Sequence, residues 1–242
     1  MAGHASTDGR ELVFVLGMHR SGTSALTRCL NLLGFTIADD LLAPNKANKG
    51  GYWESKAAVR LNERLLGSLD RVWYDPKPVT FDVLSKEQRE NFVAGAQKLL
   101  ADDLGDASLA VLKDPRLSLL LPVWREAAER LGYRCTALVA CRHPVEVAMS
   151  LRTRDGMELA HGLKLWTSHM LEAEFQTRTV PRHVVLYDRL LQDWRAALRP
   201  AMEAIGLDRK ADYRAGWRAI SAYLDTGQRN EKVAGNAAAG ES

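Results

Sequence analysis

Short, nearly continuous apolar runs alternate along the chain with longer segments in which apolar residues recur every three or four positions. The first pattern predicts strands that are buried on both faces, and the second predicts amphipathic helices. The predicted strands are Glu11–Gly17, Ser108–Lys113, Arg134–Cys141 and His183–Tyr187. The predicted helices are Thr23–Leu33, Lys56–Leu69, Lys86–Leu104, Leu117–Leu131, Val145–Leu151, Glu158–Thr177, Leu190–Ile205 and Tyr213–Leu224.

This alternation predicts an α/β fold: a single three-layer α/β/α domain whose strands form a central, mostly parallel sheet. The domain is expected to span residues 11–225, and Thr226–Ser242, which loses the periodicity, is expected to be a flexible tail. The irregular segment Asp39–Ser55 is rich in Asn, Gly and Lys. Because ligands in such folds bind beyond the carboxyl ends of the strands, this segment is a candidate wall of the site.

The composition excludes several classes of protein. Of the 242 residues, 46% are hydrophobic and 26% charged, which is typical of a soluble globular chain and not of a disordered or collagen-like one. The longest stretch without Asp, Glu, Lys or Arg is Cys29–Ala38, half of the roughly 20 residues that a membrane-spanning helix needs. Met1–Arg10 also lacks the apolar core of a signal peptide.

The three cysteines argue against a secreted disulfide scaffold. Cys29, Cys135 and Cys141 are an odd number and lie in apolar runs. We therefore expect buried free thiols, a reducing compartment and a cytoplasmic location.

The charge balance points to a small anion more than to a polyanion. A total of 33 basic and 30 acidic residues leaves a formal charge of +3, too small to indicate nucleic acid. Within Cys141–Gly156, however, four basic side chains stand against two acidic ones. They are Arg142, His143, Arg152 and Arg154.

The junction between the first strand and the first helix has the pattern of an anion-binding loop. Gly17–Ser24 reads GMHRSGTS, with glycines five residues apart at a strand-to-helix turn. Backbone N–H groups and the helix N-terminus favour a bound anion there. In the ordinary phosphate loop a lysine follows the second glycine, whereas here Thr23 does and the nearby cation is Arg20. The alternative is a tight turn that binds nothing.

The run Arg20–Ser24 (RSGTS) resembles the 5′-phosphosulfate-binding loop of sulfotransferases that use 3′-phosphoadenosine 5′-phosphosulfate (PAPS). The resemblance, to bacterial and carbohydrate-type members, implies a P-loop NTPase-like fold and PAPS as sulfuryl donor, with no metal. It places Arg20 on the transferring sulfuryl group. The cofactor-binding loop that it implies comprises His19, Arg20, Ser21, Gly22, Thr23 and Ser24.

A second motif follows the third strand. Family members bind the 3′-phosphate of the cofactor with an Arg just past this strand and a Ser eight residues later, and Arg142 and Ser150 match that pair. Pro144 marks the start of a helix, and an arginine can grip a phosphate with two hydrogen bonds. The alternatives are a surface ion pair for Arg142 and a helix-surface hydroxyl for Ser150.

The resemblance also suggests catalytic residues. In similar members a Glu after the first helix is the base, and Glu54, in Gly-Tyr-Trp-Glu, is the candidate. A glutamate that only stabilises the following helix through its dipole is the alternative. Lys113 matches the lysine of the Lys-Thr-His run of many cytosolic members, which implies a second cation near the leaving group.

The histidine of that run is absent, because Asp114 and Pro115 follow Lys113. Asp114 could orient Lys113 or Arg20, substitute as base, or pair with Arg116. His19 is a further candidate base, although a packing role is more usual there. Asp188, in the Tyr-Asp-Arg-Leu run, is expected to cap the next helix.

Other residues carry weaker signals. Four aromatic residues around the second helix could line an acceptor pocket or simply pack the core: Tyr52, Trp53, Trp73 and Tyr74. The histidines His143, His161, His169 and His183 show no metal-ligand spacing, so no metal site is expected.

The leading hypothesis is a PAPS-dependent sulfotransferase acting on a small-molecule, carbohydrate or lipid acceptor, without nucleic acid or a transmembrane segment. Glu54, Arg20 and Lys113 are its catalytic candidates. One alternative is a P-loop nucleotide or small-molecule kinase, in which the strand ending at Asp114 would bind magnesium. Another is a non-catalytic nucleotide-binding module. The acceptor and the oligomeric state stay open.

Overall fold

The computed structural model describes residues 9–45, 48 and 50–224 of the chain. Its strands are β1 (Arg10–Leu16), β2 (Leu109–Lys113), β3 (Tyr133–Cys141) and β4 (Arg182–Leu186). Its α-helices are α1 (Thr23–Leu32), α2 (Lys56–Ser68), α3 (Lys86–Leu104), α4 (Leu117–Arg130), α5 (Pro144–Asp155), α6 (Leu159–Gln176), α7 (Tyr187–Gln192), α8 (Trp194–Ala204) and α9 (Tyr213–Leu224). A 3₁₀ turn, Asp208–Lys210, lies between α8 and α9.

The four strands form one parallel sheet in the order β2-β1-β3-β4. In the central strand, Val13 lies opposite Val111 of β2 on one side and Thr136 of β3 on the other. Because all strands run the same way, the residues that follow β1, β2 and β3 come together at one edge of the sheet.

Alternate side chains of β1 pack into two separate cores. Leu12, Phe14 and Leu16 belong to a core with apolar side chains of α2, α3 and α4. Val13 and Val15 belong to a second core with α1, α8 and α9. The sheet is therefore covered on both faces, and the predicted three-layer α/β/α fold with a parallel sheet is confirmed.

One predicted helix is wrong. The segment predicted as one helix, Leu190–Ile205, belongs to two helices, α7 and α8, which are separated at Asp193. Asp193 has an extended backbone, and its carboxylate accepts hydrogen bonds from the N–H groups of Arg195 and Ala196. This N-cap starts a new helix instead of continuing the old one.

The predicted cap at Asp188 is also wrong. Asp188 lies in the first turn of α7, whose N-cap residue is Leu186, and no side chain caps that helix. The other predicted elements match the observed ones with small shifts of their ends, and α3 and α9 match fully. The domain limits 11–225 stay a prediction, and the tail Thr226–Ser242 lies outside the described residues.

Two further expectations concern the membrane and the thiols. None of the helices in the described ranges combines the length and the apolar character that crossing a membrane requires. The three cysteines are free thiols. Cys29 and Cys135 are buried, and Cys141 is half-buried.

Candidate functional site

The loop between β1 and α1 has a backbone that requires its two glycines. Gly17 has φ +128°, and a Cβ there would lie 2.4 Å from the carbonyl oxygen of Ala140. Gly22 has φ +90°, and a Cβ there would lie 2.2 Å from the ring of Tyr187. Arg20, between them, has φ +70°, which is uncommon for a residue with a side chain. The loop thus holds a strained conformation of the kind found at functional sites.

This loop offers donors to an anion. Gly22 is the N-cap of α1, and no side chain caps the helix start. Within the described part of the chain, the buried Oγ of Ser21 has no hydrogen-bond partner, which is uncommon for a buried polar atom. An uncapped helix N-terminus beside an unpartnered hydroxyl suits a phosphate or sulfate group. Thr23, at the position where ordinary phosphate loops have lysine, is buried.

Lys113 is the centre of the hydrogen bonds around the loop. Its ammonium group donates to Ser24 Oγ at 3.1 Å, to the carbonyl oxygen of Tyr52 at 2.9 Å and to Glu54 Oε1. The side chains of Lys113 and Glu54 are only 2% and 5% exposed. The candidate base, a cation and a hydroxyl of the loop therefore form one buried cluster.

Three different elements bring these residues together. Lys113 ends β2, Ser24 lies in the first turn of α1, and Glu54 directly precedes the N-cap of α2. The carbonyl oxygen of Glu54 accepts a hydrogen bond from the N–H of Leu42 at 2.9 Å, which fixes the segment in place. The irregular segment Asp39–Ser55 thus lies against the loop through its described residues.

The pKa of Glu54 is raised above its ordinary value. Burial is the main cause, and the negative charge of Asp114 adds to it, while the ammonium of Lys113 opposes it. Burial thus favours the protonated form and Lys113 favours the ionised form, and the net result is a carboxylate that binds a proton more readily than an exposed glutamate does. This is the behaviour expected of a general base.

The second motif contacts the loop directly. Arg20 Nε donates to Ser150 Oγ at 2.8 Å, and Arg142 Nη1 donates to the carbonyl oxygen of Arg20 at 3.3 Å. Arg142 also forms a buried ion pair with Glu146 at 2.9 Å and lies over the ring of Tyr187. We call Arg20, Ser24, Glu54, Lys113, Arg142 and Ser150 together the polar network.

Positive charges crowd around Arg20. Its pKa is lowered by burial first and then by the neighbouring guanidinium groups of Arg154 and Arg142. Such a concentration of positive charge is costly without an anion and favourable with one.

His19 lies on the other side of the loop, in what we call the histidine cluster: His19, Trp73, Arg154 and His169. The ring centroids of His19 and Trp73 are 4.4 Å apart, and those of His19 and His169 are 6.4 Å apart. Arg154 lies over the Trp73 ring, with its central carbon 5.4 Å from the ring centroid. His19 therefore packs against aromatic rings while it remains part of the loop.

Both histidines of the cluster are held neutral. Burial, followed by the positive charge of Arg116, lowers the pKa of His19 well below its ordinary value. Burial also lowers the pKa of His169 to about 4, although a hydrogen bond between its Nδ1 and the carbonyl oxygen of Leu165 opposes the shift. The Nε2 atoms of both rings are shielded and have no hydrogen-bond partner in residues 9–45, 48 and 50–224.

Asp114 does not orient Lys113 or Arg20 through any hydrogen bond in the described residues. Its carboxylate accepts from Asn62 Nδ2 at 2.9 Å and from the backbone N–H and Nη1 of Arg116 at 2.9 and 3.0 Å. Asn62 Oδ1 in turn accepts from Trp124 Nε1. The predicted pairing of Asp114 with Arg116 is therefore present, within a larger buried chain of hydrogen bonds.

Sequence reasoning missed some of these residues. Glu146, in the first turn of α5, follows Arg142 by four positions, and this spacing could have indicated the pair although Arg142 itself precedes the helix. Asn62 interrupts the apolar face of α2, and a polar residue at such a position is a signal of a buried network. The sequence indicates Arg154 only as one of the basic residues of Cys141–Gly156, and His169 only as a histidine without the spacing of a metal ligand.

Two surface grooves lie away from the polar network. One, about 450 Å³, lies between Pro76, Pro78 and the face of α6 that carries Leu171. The other, about 270 Å³, lies between β4 and α8. Among the described residues, no three of the side chains His, Cys, Asp and Glu are arranged to hold a metal ion.

Known proteins resemble this chain in structure and not in sequence. No family model matches the chain, and no curated protein matches it. The sulfotransferase domain from the curacin biosynthetic pathway is 16% identical, with a TM-score of 0.46, over 82% of this chain and 74% of that one. The sulfotransferase domain from the Synechococcus PCC 7002 olefin synthase is 19% identical, with a TM-score of 0.48, over 98% and 94%. The chain is similar in structure to sulfotransferase domains.

Proposed function

We propose that the chain is a PAPS-dependent sulfotransferase that moves a sulfuryl group to a hydroxyl or amine of a small-molecule, carbohydrate or lipid acceptor. The observation that carries the proposal is the set of hydrogen bonds of Lys113. They link an anion-binding loop, a cation and a buried carboxylate of raised pKa at one edge of the sheet. In-line transfer of an anionic group needs these three components.

The loop and the polar network would hold the two phosphate positions of the donor. The N-terminus of α1 and the unpartnered Ser21 Oγ suit the 5′-phosphosulfate. Arg142 and Ser150 would bind the 3′-phosphate. Both are buried, and each forms a hydrogen bond with Arg20. When bound, PAPS supplies the sulfuryl group and leaves as the bisphosphate.

The chain's own groups supply the rest of the chemistry. Glu54 would take the proton of the acceptor hydroxyl, and its raised pKa makes it a better base than an exposed carboxylate. Lys113 and Arg20 would stabilise the negative charge that accumulates on the leaving group. The ammonium of Lys113 also favours the ionised form of Glu54, against the effect of burial.

A magnesium-dependent kinase is less well supported. Its magnesium ligand would be Asp114, but both carboxylate oxygens of Asp114 already accept hydrogen bonds, from Asn62 and Arg116. The position of the usual phosphate-loop lysine is held by the buried Thr23. Neither residue offers what ATP chemistry needs.

The test is a calorimetric titration without metal, comparing 3′-phosphoadenosine 5′-phosphate with ATP. We expect selective binding of the bisphosphate. Arg142→Ala and Ser150→Ala should weaken it, the former by about 10- to 100-fold, the range of a hydrogen bond to a charged group. The control is Arg152→Ala, an exposed arginine on the same helix, which should bind as the original chain does.

Equal or tighter binding of Mg-ATP would overturn the proposal. Selective bisphosphate binding without turnover of PAPS on phenol, sugar, lipid and amine acceptors would favour a non-catalytic binding module instead. Turnover with any of these acceptors would support the sulfotransferase and would identify the class of acceptor.

A further inference from the structure

Arg154 is oriented toward the loop by its neighbour in sequence. Its Nε and Nη2 atoms donate to both carboxylate oxygens of Asp155, at 2.6 to 2.9 Å. Among the described residues, no hydrogen bond runs from its Nη1. The side chain is 18% exposed, so one edge of a fixed guanidinium group is available for a ligand.

An unpartnered ring nitrogen of His19 lies near this guanidinium, and a second one, on His169, lies behind His19. His169 is fully buried, and its Nε2 has no partner among the described residues. The Nε2 of His19 is likewise shielded without a partner, and both Arg154 and His19 contact Trp73. Buried polar atoms are normally satisfied within the protein, so a cluster that leaves two of them unsatisfied indicates a site that a ligand completes.

The position of the histidine cluster connects it with the acceptor. Arg154 is close enough to Arg20 to be the leading charged cause of its lowered pKa, ahead of Arg142. Arg154 and Arg116 also lower the pKa of His19. The cluster therefore places the guanidinium of Arg154, whose charge Asp155 partly offsets, near the arginine that would contact the sulfuryl group. Arg154 follows Ser150 by one turn of α5, toward the end of the helix, whereas Arg142 precedes the helix.

We propose that the acceptor carries an anionic group, a carboxylate, phosphate or sulfate, and that Arg154 binds this group beside His19. The proposal rests on the proposed function, since it names the acceptor class of the same site. Arg154 would provide charge and hydrogen bonds through Nη1, and the neutral His19 would provide a further hydrogen bond. The favourable interaction of a cation with the end of the helix dipole does not account for Arg154, because Arg152 in the same last turn already supplies such a cation.

The test uses the protein saturated with 3′-phosphoadenosine 5′-phosphate and matched pairs of acceptor analogues. The pairs are 4-hydroxybenzoate with 4-hydroxybenzamide, glucose 6-phosphate with glucose, and glycerol 3-phosphate with glycerol. We expect the anionic member of at least one pair to bind about tenfold more tightly, the size of a charge-assisted hydrogen bond. Arg154→Gln should abolish that preference, and Arg154→Lys should retain part of it.

The control is Arg152→Gln, which removes the same charge from an exposed position of the same helix and should keep the preference. Absence of any anionic preference, or its survival in Arg154→Gln, would overturn the inference. The bisphosphate titration separates the two proposals. A chain that binds the bisphosphate but shows no anionic preference disproves only the acceptor class, whereas one that does not bind the bisphosphate disproves the function.

Discussion

The two sides of the loop differ in how their polar groups are satisfied. In the polar network each side chain has a protein partner: Lys113 contacts Ser24 and Glu54, and Arg20 contacts Ser150. In the histidine cluster two shielded ring nitrogens have none among the residues that the structure describes. The first region is a preorganised set of charges, and the second is incomplete without a further molecule.

This difference teaches how one loop can serve two ligands. A donor with fixed phosphate groups is best held by groups that are already oriented, since no reorganisation is then needed when charge develops. An acceptor would bind beside it, and Arg154 with the unpartnered Nε2 of His19 marks the place that we propose for its anionic group. Arg20 links the two regions, because its pKa is lowered by burial and then by Arg154 of the histidine cluster and Arg142 of the polar network.

The largest expected effect is in the polar network. Glu54→Gln keeps the shape of the side chain and an oxygen for Lys113, but it removes the base. We expect turnover to fall by about 10²- to 10⁴-fold with little change in bisphosphate affinity, as measured by steady-state kinetics and calorimetry. The control is Glu87→Gln, the same change at an exposed position of α3. Unchanged turnover in Glu54→Gln would remove Glu54 from the mechanism.

The pH profile sharpens the same test. Burial raises the pKa of Glu54, so turnover of the original chain should fall as the pH decreases through a value above that of an ordinary glutamate. The residual activity of Glu54→Gln should lack this acidic limb. An acidic limb that persists in Glu54→Gln would assign the titration to another group.

Much of the polar network could be predicted from sequence, for a physical reason. Arg20, Lys113 and Arg142 follow three apolar strands closely, and parallel strands bring their carboxyl ends to one edge. A short motif beside a strand therefore predicts where its residues lie in the fold. The sheet order β2-β1-β3-β4, in contrast, cannot be predicted from any local pattern. Glu54 needed the resemblance to a family, because nothing in its local sequence distinguishes a base from a helix-dipole glutamate.

The histidine cluster could not be predicted, because tertiary packing alone creates it. His169 lies within the long helix α6, and its neighbours give no sign that it is fully buried beside the loop. Trp73 could equally have been a core residue. The helix break at Asp193 is a different case, since an aspartate before Trp194 is a recognisable N-cap that the continuous apolar pattern concealed.

A smaller effect tests how the loop is built. Gly22→Ala should destabilise the chain by about 2 to 4 kcal/mol, because the positive φ and the ring of Tyr187, 2.2 Å from the new Cβ, both oppose it. Gly34→Ala is the matched control, since Gly34 has φ +97° but open space around its Cβ. It should cost only about 1 kcal/mol in urea unfolding. Equal losses in the two variants would show that Tyr187 does not support the loop.

The smallest effect tests whether the histidine cluster is neutral. The pKa of His169, about 4, lies below that of a histidine in the unfolded chain, so the unfolded state takes up a proton first as the pH falls. The original chain should therefore lose about 2 kcal/mol more of its free energy of unfolding than His169→Met does between about pH 7.5 and about pH 5.

Urea unfolding at the two pH values measures this difference, and the exposed His143→Gln is the control that should leave it unchanged. If His169→Met lost as much stability as the original chain, His169 would take up a proton in the folded chain as readily as in the unfolded chain. The histidine cluster would then not differ from the polar network in the way proposed above. A difference of the expected sign would show that His169 enters the folded chain as a neutral ring whose Nε2 is available as an acceptor.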